Sequence, residues 1–301
     1  RSSPIMVAIL VLAASSLSFS ASPVPTVTAH GMGDSCFNEG MQEITSIIGS
    51  TLGTYSVCVP TGNRLTDTTN GFFMTMNDNV DVFAAAIRKD PKLKGGFNCV
   101  GFSQGNLICR GYIQKYHGIG DYPLVQNWLS VHGTVSGVAG FPHCDPDGLL
   151  GPVCKQISHL CGDLAYTKLT QQLLFQIDFY RDPMRVHTDS YKQNSQIGEW
   201  NNEGVSVNAT YKENFIKLKR LIMIKAEKDT MVFPNEGEWW GHFADGDLTT
   251  VLPMKETKWY KDDVFGLKTV DQAGKIFFNT TSGNHLQFTR DELIGWVNQF
   301  V

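Results

Sequence analysis

One stretch constrains this chain more than any other. Residues 97–100 form a short apolar run with strand chemistry and lead straight into Gly101-Phe102-Ser103-Gln104-Gly105, and residues 106–116 follow with helical spacing. A strand that turns at once into a helix brings its backbone close to neighbouring chain, which is tolerable only where glycine omits the Cβ. The serine at the apex of such a turn is pushed into the open rather than packed. By itself G-x-S-x-G is a pattern that common residues produce by chance. Here the strand before it and the helix after it supply the context the motif needs, so Ser103 reads as a nucleophile.

A serine hydroxyl attacks poorly without a base, and the base needs a carboxylate to orient it. In a strand–turn–helix nucleophile of this kind the chain order is serine, acid, histidine. His285 is the only histidine after His242, and it lies in Gly283-Asn284-His285, just past the strand-like run 276–278. His187 and His242 fall in polar or insertion sequence with no strand end beside them. For the acid, Asp229 follows the strand-like run 221–224 in the loop Glu227-Lys228-Asp229, whereas Asp247 and Asp271 have no strand before them. Spacing leaves Glu227 open as an alternative. Two backbone N–H groups are needed to receive an oxyanion. One is expected from Gln104, at the start of the helix, and the other from Met32 in the turn His30-Gly31-Met32-Gly33, which follows the strand Thr26–Ala29. His30 reads as a residue that fixes this turn.

The rest of the chain alternates β-branched runs with amphipathic stretches. Met41, Ile44, Ile47 and Ile48 recur at helical spacing, as do Val82, Phe83, Ala86 and Ile87 before Pro91 ends the segment, and residues 128–131 read as another strand. This alternation predicts an α/β chain with a mostly parallel central sheet flanked by helices, and with Ser103 at its elbow it predicts the α/β-hydrolase fold. Between about residues 140 and 218 the pattern changes to Cys/Pro/Gly loops, a helical run through Leu169, Leu173 and Ile177, and Asn-rich sequence. That stretch reads as a helical insertion, so residues 21–301 form one domain. The last helix opens on a capping box, Thr289-x-x-Glu292, and places Leu293, Trp296, Val297 and Phe300 on one face.

At the N-terminus, Arg1, the apolar run 5–14 and the small polar residues 15–22 read as a secretory signal peptide over residues 1–20, cleaved near Ser20 or Ala21. No later apolar run approaches the ~20 residues of a membrane span. An exported chain with seven cysteines is expected to form disulfides and to leave at least one thiol free. Cys144 with Cys154, bracketing a Pro/Gly/Asp loop, is the first expected pair, and Cys36 with Cys58 the second. Cys99 and Cys109 read as buried free thiols behaving as small hydrophobes. Asn208-Ala-Thr and Asn279-Thr-Thr are glycosylation sequons. A net charge of −4 with no basic run argues against a nucleic-acid partner. No metal-binding, dinucleotide or phosphate-loop motif is present, and no cofactor is expected.

Several stretches, in one order through nearly the whole mature chain, resemble the palmitoyl-protein thioesterases. They are His30-Gly-Met-Gly-Asp-Ser-Cys36, Lys89-Asp-Pro-Lys-Leu93, Gly101-Phe-Ser-Gln-Gly105, Tyr180-Arg-Asp-Pro183, Gly266-Leu-Lys268, Asp271-Gln-Ala-Gly274 and Gly283-Asn-His-Leu-Gln287. The resemblance implies Ser103, Asp229 and His285 as a triad, with Met32 and Gln104 as oxyanion donors. It also implies a helical insertion shaping an acyl groove, S-acylated proteins or peptides as substrate, a fatty acid as product, and a lysosomal address. An oxygen-ester lipase or esterase on the same residues, and a non-catalytic lipid carrier, are the alternatives. Two departures matter. Cys36-Phe37 stands where relatives can carry adjacent cysteines, which directs Cys36 to Cys58. Val131-His132-Gly133-Thr134 stands where the family often shows Gly-Gly followed by Gln or His, which puts in doubt any contact made through those side chains.

Overall fold

Six short strands pair in parallel into one sheet in the computed structural model, which describes residues 23–141 and 151–300. They are β1 (Thr26–Ala29), β2 (Ser56–Cys58), β3 (Phe97–Phe102), β4 (Val125–Val131), β5 (Arg220–Ala226) and β8 (Ile276–Thr281), in the spatial order β2-β1-β3-β4-β5-β8. A small antiparallel pair, β6 (His242–Phe243) with β7 (Val251–Leu252), lies apart from it. The expected parallel α/β architecture is therefore present. The expected strand Thr26–Ala29 has the expected bounds, and the other expected strands are longer by a few residues; β3 runs on through Gly101 and Phe102 to the very edge of the turn.

The pleat distributes the apolar residues to two cores. Phe97 and Cys99 of β3 and Leu221 and Met223 of β5 face one side, while Val100, Phe102, Ile222 and Ile224 face the other. A register shift between β3 and β4 lets Val125 and Trp128 share the first side. The helices are α1 (Glu39–Leu52), α2 (Asp67–Phe73), α3 (Met76–Lys89), α4 (Gly105–Lys115), α5 (Gly151–Leu160), α6 (Phe175–Asp178), α7 (Asp189–Asn194), α8 (Gln196–Trp200), α9 (Ala209–Phe215), α10 (Lys258–Lys261), α11 (Leu267–Gln272) and α12 (Arg290–Val297). Met41 and Ile48 of α1 and Leu293, Trp296 and Val297 of α12 cover one face, and α3, α4 and α9 cover the other. The capping box of α12 forms as expected, with Thr289 and Glu292 each satisfying the other's backbone N–H.

The structure corrects several local expectations. In α3 the inward face is Met76, Val80, Phe83, Ala84 and Ile87, and Val82 is turned outward, 38% exposed. The run through Leu169, Leu173 and Ile177 is not one helix. Buried Gln171 donates to the carbonyls of Ala165 and Ile177 and ties the segment into a turn, leaving Leu169 exposed before the short α6 begins. Residues between β4 and β5 form a satellite core of Ile157, Tyr166, Leu174, Ile177, Tyr180 and Tyr191. By contrast, α9 packs Tyr211 and Phe215 into the main core beside Trp128.

Cys36 pairs with Cys58. Cys99 and Cys109, expected as free thiols, are also disulfide-bonded, with Cα atoms 6.0 Å apart. The correction has a simple origin: β3 and α4 are joined by so tight a turn that the strand residue before it and the helix residue after it face each other. Cys154 is disulfide-bonded, while Cys144, its expected partner, lies outside the described residues. Among the described residues Cys161 is a free thiol. The expected signal peptide lies outside the described residues as well, and among those described no helix is long and apolar enough to cross a membrane.

Candidate active site

The sheet is entered at β1; from there the chain moves outward to β2, then returns past β1 to build β3 on its other side. Where strand order reverses in this way, the loops leaving the carboxyl ends of the two neighbouring strands part and open a crevice. The turn 30–33 leaves β1 at that point and Ser103 leaves β3. Ser103 has φ +52°, the left-handed conformation expected of a serine held at the apex of a strand–helix elbow. Two glycines make the turn possible. A Cβ on Gly101 would come within 2.4 Å of Asn106 Oδ1, and one on Gly105 within 2.2 Å of the Ala29 carbonyl oxygen.

Asn106 fastens the elbow from inside. Its side-chain amide donates to the carbonyls of Gly101 (2.9 Å), Ser103 (3.2 Å) and Val131 (3.1 Å), and its oxygen accepts from Trp128 Nε1–H (3.1 Å). Sequence reading passed over Asn106, because its partners belong to β3, the elbow and β4 together.

Three expected residues meet at the carboxyl edge of the sheet. The register pairs Ala226 at the end of β5 with Thr281 at the end of β8, so the loops after them run side by side. Asn284 locks these loops, its oxygen accepting from Thr230 N–H (2.9 Å) and His285 N–H (2.7 Å). His285 Nδ1 then lies 2.5 Å from Asp229 Oδ2, and its Nε2 lies 2.8 Å from Ser103 Oγ. With Asp229 accepting from Nδ1–H, the Nε2 lone pair faces the serine hydroxyl. The other Asp229 oxygen accepts from the N–H groups of Met231 (2.6 Å) and Val232 (2.8 Å). Burial alone would raise this carboxyl's pKa, but the His285 hydrogen bond and charge outweigh it and hold it at about 2.

The competing acids are elsewhere. Glu227 is exposed, Asp247 accepts from its neighbour Thr249, and Asp271 is engaged by Tyr260 and Lys255. His187 is exposed. His242, expected in sequence without strand context, is in fact buried in β6 with Nδ1 3.2 Å from the Arg181 guanidinium.

The turn after β1 lies directly over the serine. A Cβ on Gly31 would stand 3.2 Å from Ser103 Cβ and 3.8 Å from its Oγ, which brings the following residue, Met32, to the crevice. His30 does fix this turn. Its Nδ1 is 2.9 Å from the Gly31 carbonyl and its Nε2 is 3.3 Å from Asp67 Oδ1 in the buried interior. Burial opposes a charged His30, yet the Asp67 contact raises its pKa. Gln104 stands at the N-cap position of α4, the end of the helix whose dipole favours negative charge. Its side chain is held by donation to the Gly71 carbonyl (2.9 Å) and by acceptance from Gln176 (2.7 Å).

His132, doubted as a contact residue, occupies the same edge. It leaves β4 with φ +46°, its Nδ1 accepts from Leu286 N–H (2.8 Å), and its Nε2 is 3.0 Å from Thr281 Oγ1. It thus braces the loop carrying His285, whose ring centroid is 5.9 Å away. Burial, then the neighbouring His285 charge, push its pKa down to about 4, so the bracing ring is neutral.

Among the described residues, two clusters have metal-ligand composition: His30, Cys36 and Asp67, and His132, Asp229 and His285. The Cys36 sulfur is tied to Cys58, and the ring nitrogens of the second group are engaged as above. The two sequon residues differ: Asn208 is exposed and caps α9, whereas Asn279 lies half-buried in the edge strand β8 with its amide 3.4 Å from Gln299.

Such an arrangement can carry acyl transfer: a nucleophile, an oriented base and amides around one crevice. Residues 25–285 match the family model described as palmitoyl protein thioesterase. The chain is 34% identical over 295 residues to palmitoyl-protein thioesterase 1 of Caenorhabditis elegans, covering 97% of this chain and 96% of that one. It is 31% identical over 283 residues to palmitoyl-protein thioesterase 3 of Dictyostelium discoideum, covering 93% and 91%. Lysosomal thioesterase PPT2-B of Xenopus laevis is 26% identical over 205 residues, covering 67% and 66%.

Proposed function

Since the chain belongs to the palmitoyl protein thioesterase family, we propose that it hydrolyses long-chain fatty acyl thioesters on protein cysteines through an acyl-enzyme on Ser103. The observation that carries this reading is the unbroken hydrogen-bonded chain from Ser103 Oγ through His285 to Asp229. His285 Nε2 takes the Ser103 proton as Oγ attacks the thioester carbonyl, and Asp229 offsets the imidazolium that forms. The Met32 and Gln104 amides receive the oxyanion. Collapse expels the cysteine sulfur, which takes the proton from His285. Water, deprotonated by the same nitrogen, then attacks the acyl-serine, releasing the fatty acid and returning the proton to Ser103.

The acyl chain is expected along an apolar cavity of about 260 Å³ lined by Phe141, Ile157, Tyr180 and Phe233, between the short helices and the segment that follows Asp229. Each methylene buried there would contribute ~0.8 kcal/mol. Ser103→Ala is expected to reduce palmitate release from an S-palmitoyl peptide by ~10³-fold or more, with the thermal melt unchanged. Turnover near the parent level would remove Ser103 from the mechanism. A matched oxygen-ester peptide in the same assay separates thioesterase from esterase, and faster turnover of the oxygen ester would favour the latter.

The secretory pathway and the lysosome are the proposed location. The disulfides and the relative named as lysosomal support this. Glycan on Asn208 would show as a mobility shift on N-glycosidase treatment, and its absence would count against that route.

A further inference from the structure

Behind Asp229 stands a second carboxyl that the mechanism above does not use. Glu238 lies in the short turn Asn235–Trp239 and is completely buried. Its Oε2 accepts from Ala226 N–H at the end of β5 (2.9 Å), its Oε1 has no hydrogen-bond partner among the described residues, and the Asp229 carboxylate lies within reach of it. Two carboxyl groups can hydrogen-bond only if one keeps its proton, because two buried like charges in contact repel strongly.

The surroundings decide which one keeps it. Asp229 faces His285 and accepts two backbone N–H groups, all of which favour its anion. Glu238 has burial and a single N–H. The cation on that side, Lys225, is committed to Glu236 at 2.6 Å. His132, a further titratable group at this edge, is turned to Leu286 and Thr281. We propose that Glu238 extends the Ser103–His285–Asp229 chain as a positioning residue, its protonated carboxyl donating to Asp229 so that the aspartate stays ionised and aimed at His285. Burial and the Asp229 charge both raise the Glu238 pKa, which supports this assignment of the proton. Loss of the proton at high pH would place two negative charges together and disorganise the acid.

The inference rests on the triad reading but not on the identity of the substrate. The rate at which a fluorophosphonate probe labels Ser103 therefore serves as the readout, measured against pH for the parent, Glu238→Gln and Glu238→Leu. Glutamine can both donate to Asp229 and accept from Ala226, but it cannot titrate. Glu238→Leu is expected to slow labelling by about tenfold or more, and Glu238→Gln to restore most of that loss. The parent is expected to lose reactivity on the alkaline side, and Glu238→Gln to lack that fall. Equal rates for the two variants, or an alkaline fall that persists in Glu238→Gln, would overturn the inference while leaving the triad standing. A parent that is not labelled at Ser103 would overturn both. Should Glu238→Leu fail to fold, the pH profile of Glu238→Gln decides alone.

Discussion

At the scale of single residues, the proposed chemistry depends on which imidazole nitrogen carries the proton. Asp229 Oδ2 at 2.5 Å fixes the proton on His285 Nδ1 and leaves Nε2 to accept from Ser103. Asp229→Asn would keep the shape but offer an amide where an acceptor is needed, favouring the wrong tautomer. Its kcat is expected to fall by ~10⁴-fold with little change in KM, measured on a thioester substrate. The same carboxyl has a stability signature. Its pKa is lowered to about 2 in the folded chain, so its stabilising contribution is complete above the unfolded value near ~3.9 and is lost as pH falls through about 2. Denaturation curves between those limits should lose that slope in Asp229→Asn.

At the scale of elements, the elbow joins β3 to α4 with no slack. The Cys99–Cys109 disulfide and the Asn106 amide tie its two arms together from either side of Ser103. Gly105 lets the start of α4 pass the end of β1, with the Ala29 and His30 carbonyls where a Cβ would stand. Gly105→Ala is therefore expected to destabilise the fold by about 3 kcal/mol, measured by urea titration, and to displace the loop that holds Met32. A melt unchanged from the parent would show that the strand and helix can part without cost. The capping box of α12 and the strand before the elbow are readable in advance because both are local. The spacing of Val82, Phe83, Ala86 and Ile87 marks a helix but does not reveal its rotation, because neighbouring positions are apolar too, and Val82 faces outward.

At the scale of the whole molecule, burial of histidines sets how the fold meets acid. His117 and His132 are buried and pushed down to about 4, and His242 is also lowered, in each case by burial first. The unfolded chain takes up these protons near pH ~6.5 while the native chain does not, so stability falls as pH drops from there toward about 4, by up to ~1.4 kcal/mol per pH unit for each such group. His30 works in the opposite sense: its raised pKa means its contribution is present at low pH and lost as pH rises through the folded value. His117 is the cleanest test, since neither ring nitrogen has a hydrogen-bond partner among the described residues. His117→Leu is expected to flatten the fall in melting temperature between pH 6.5 and 4.5 relative to the parent. An unchanged slope would exclude His117 as a source of the acid sensitivity.

Sequence order by itself determined the strand–turn–helix at Ser103, the parallel α/β sheet, and a histidine and a carboxylate in loops after later strands, because each rests on local geometry or on chain order. Only the tertiary structure places Asp229, rather than Glu227, against His285, since that depends on the pairing of β5 with β8 and the lock made by Asn284. It also decided that Cys99 and Cys109 join, and that Asn106, His132 and Glu238 stand around the site. Each of these meets partners brought in by sheet order from distant parts of the chain, as His132 meets Thr281 and Leu286. Hydrophobic spacing records which face of an element is buried, but not which neighbour is buried against it. For polar side chains the neighbour is what matters, because a buried donor or acceptor is stable only where another element supplies its partner.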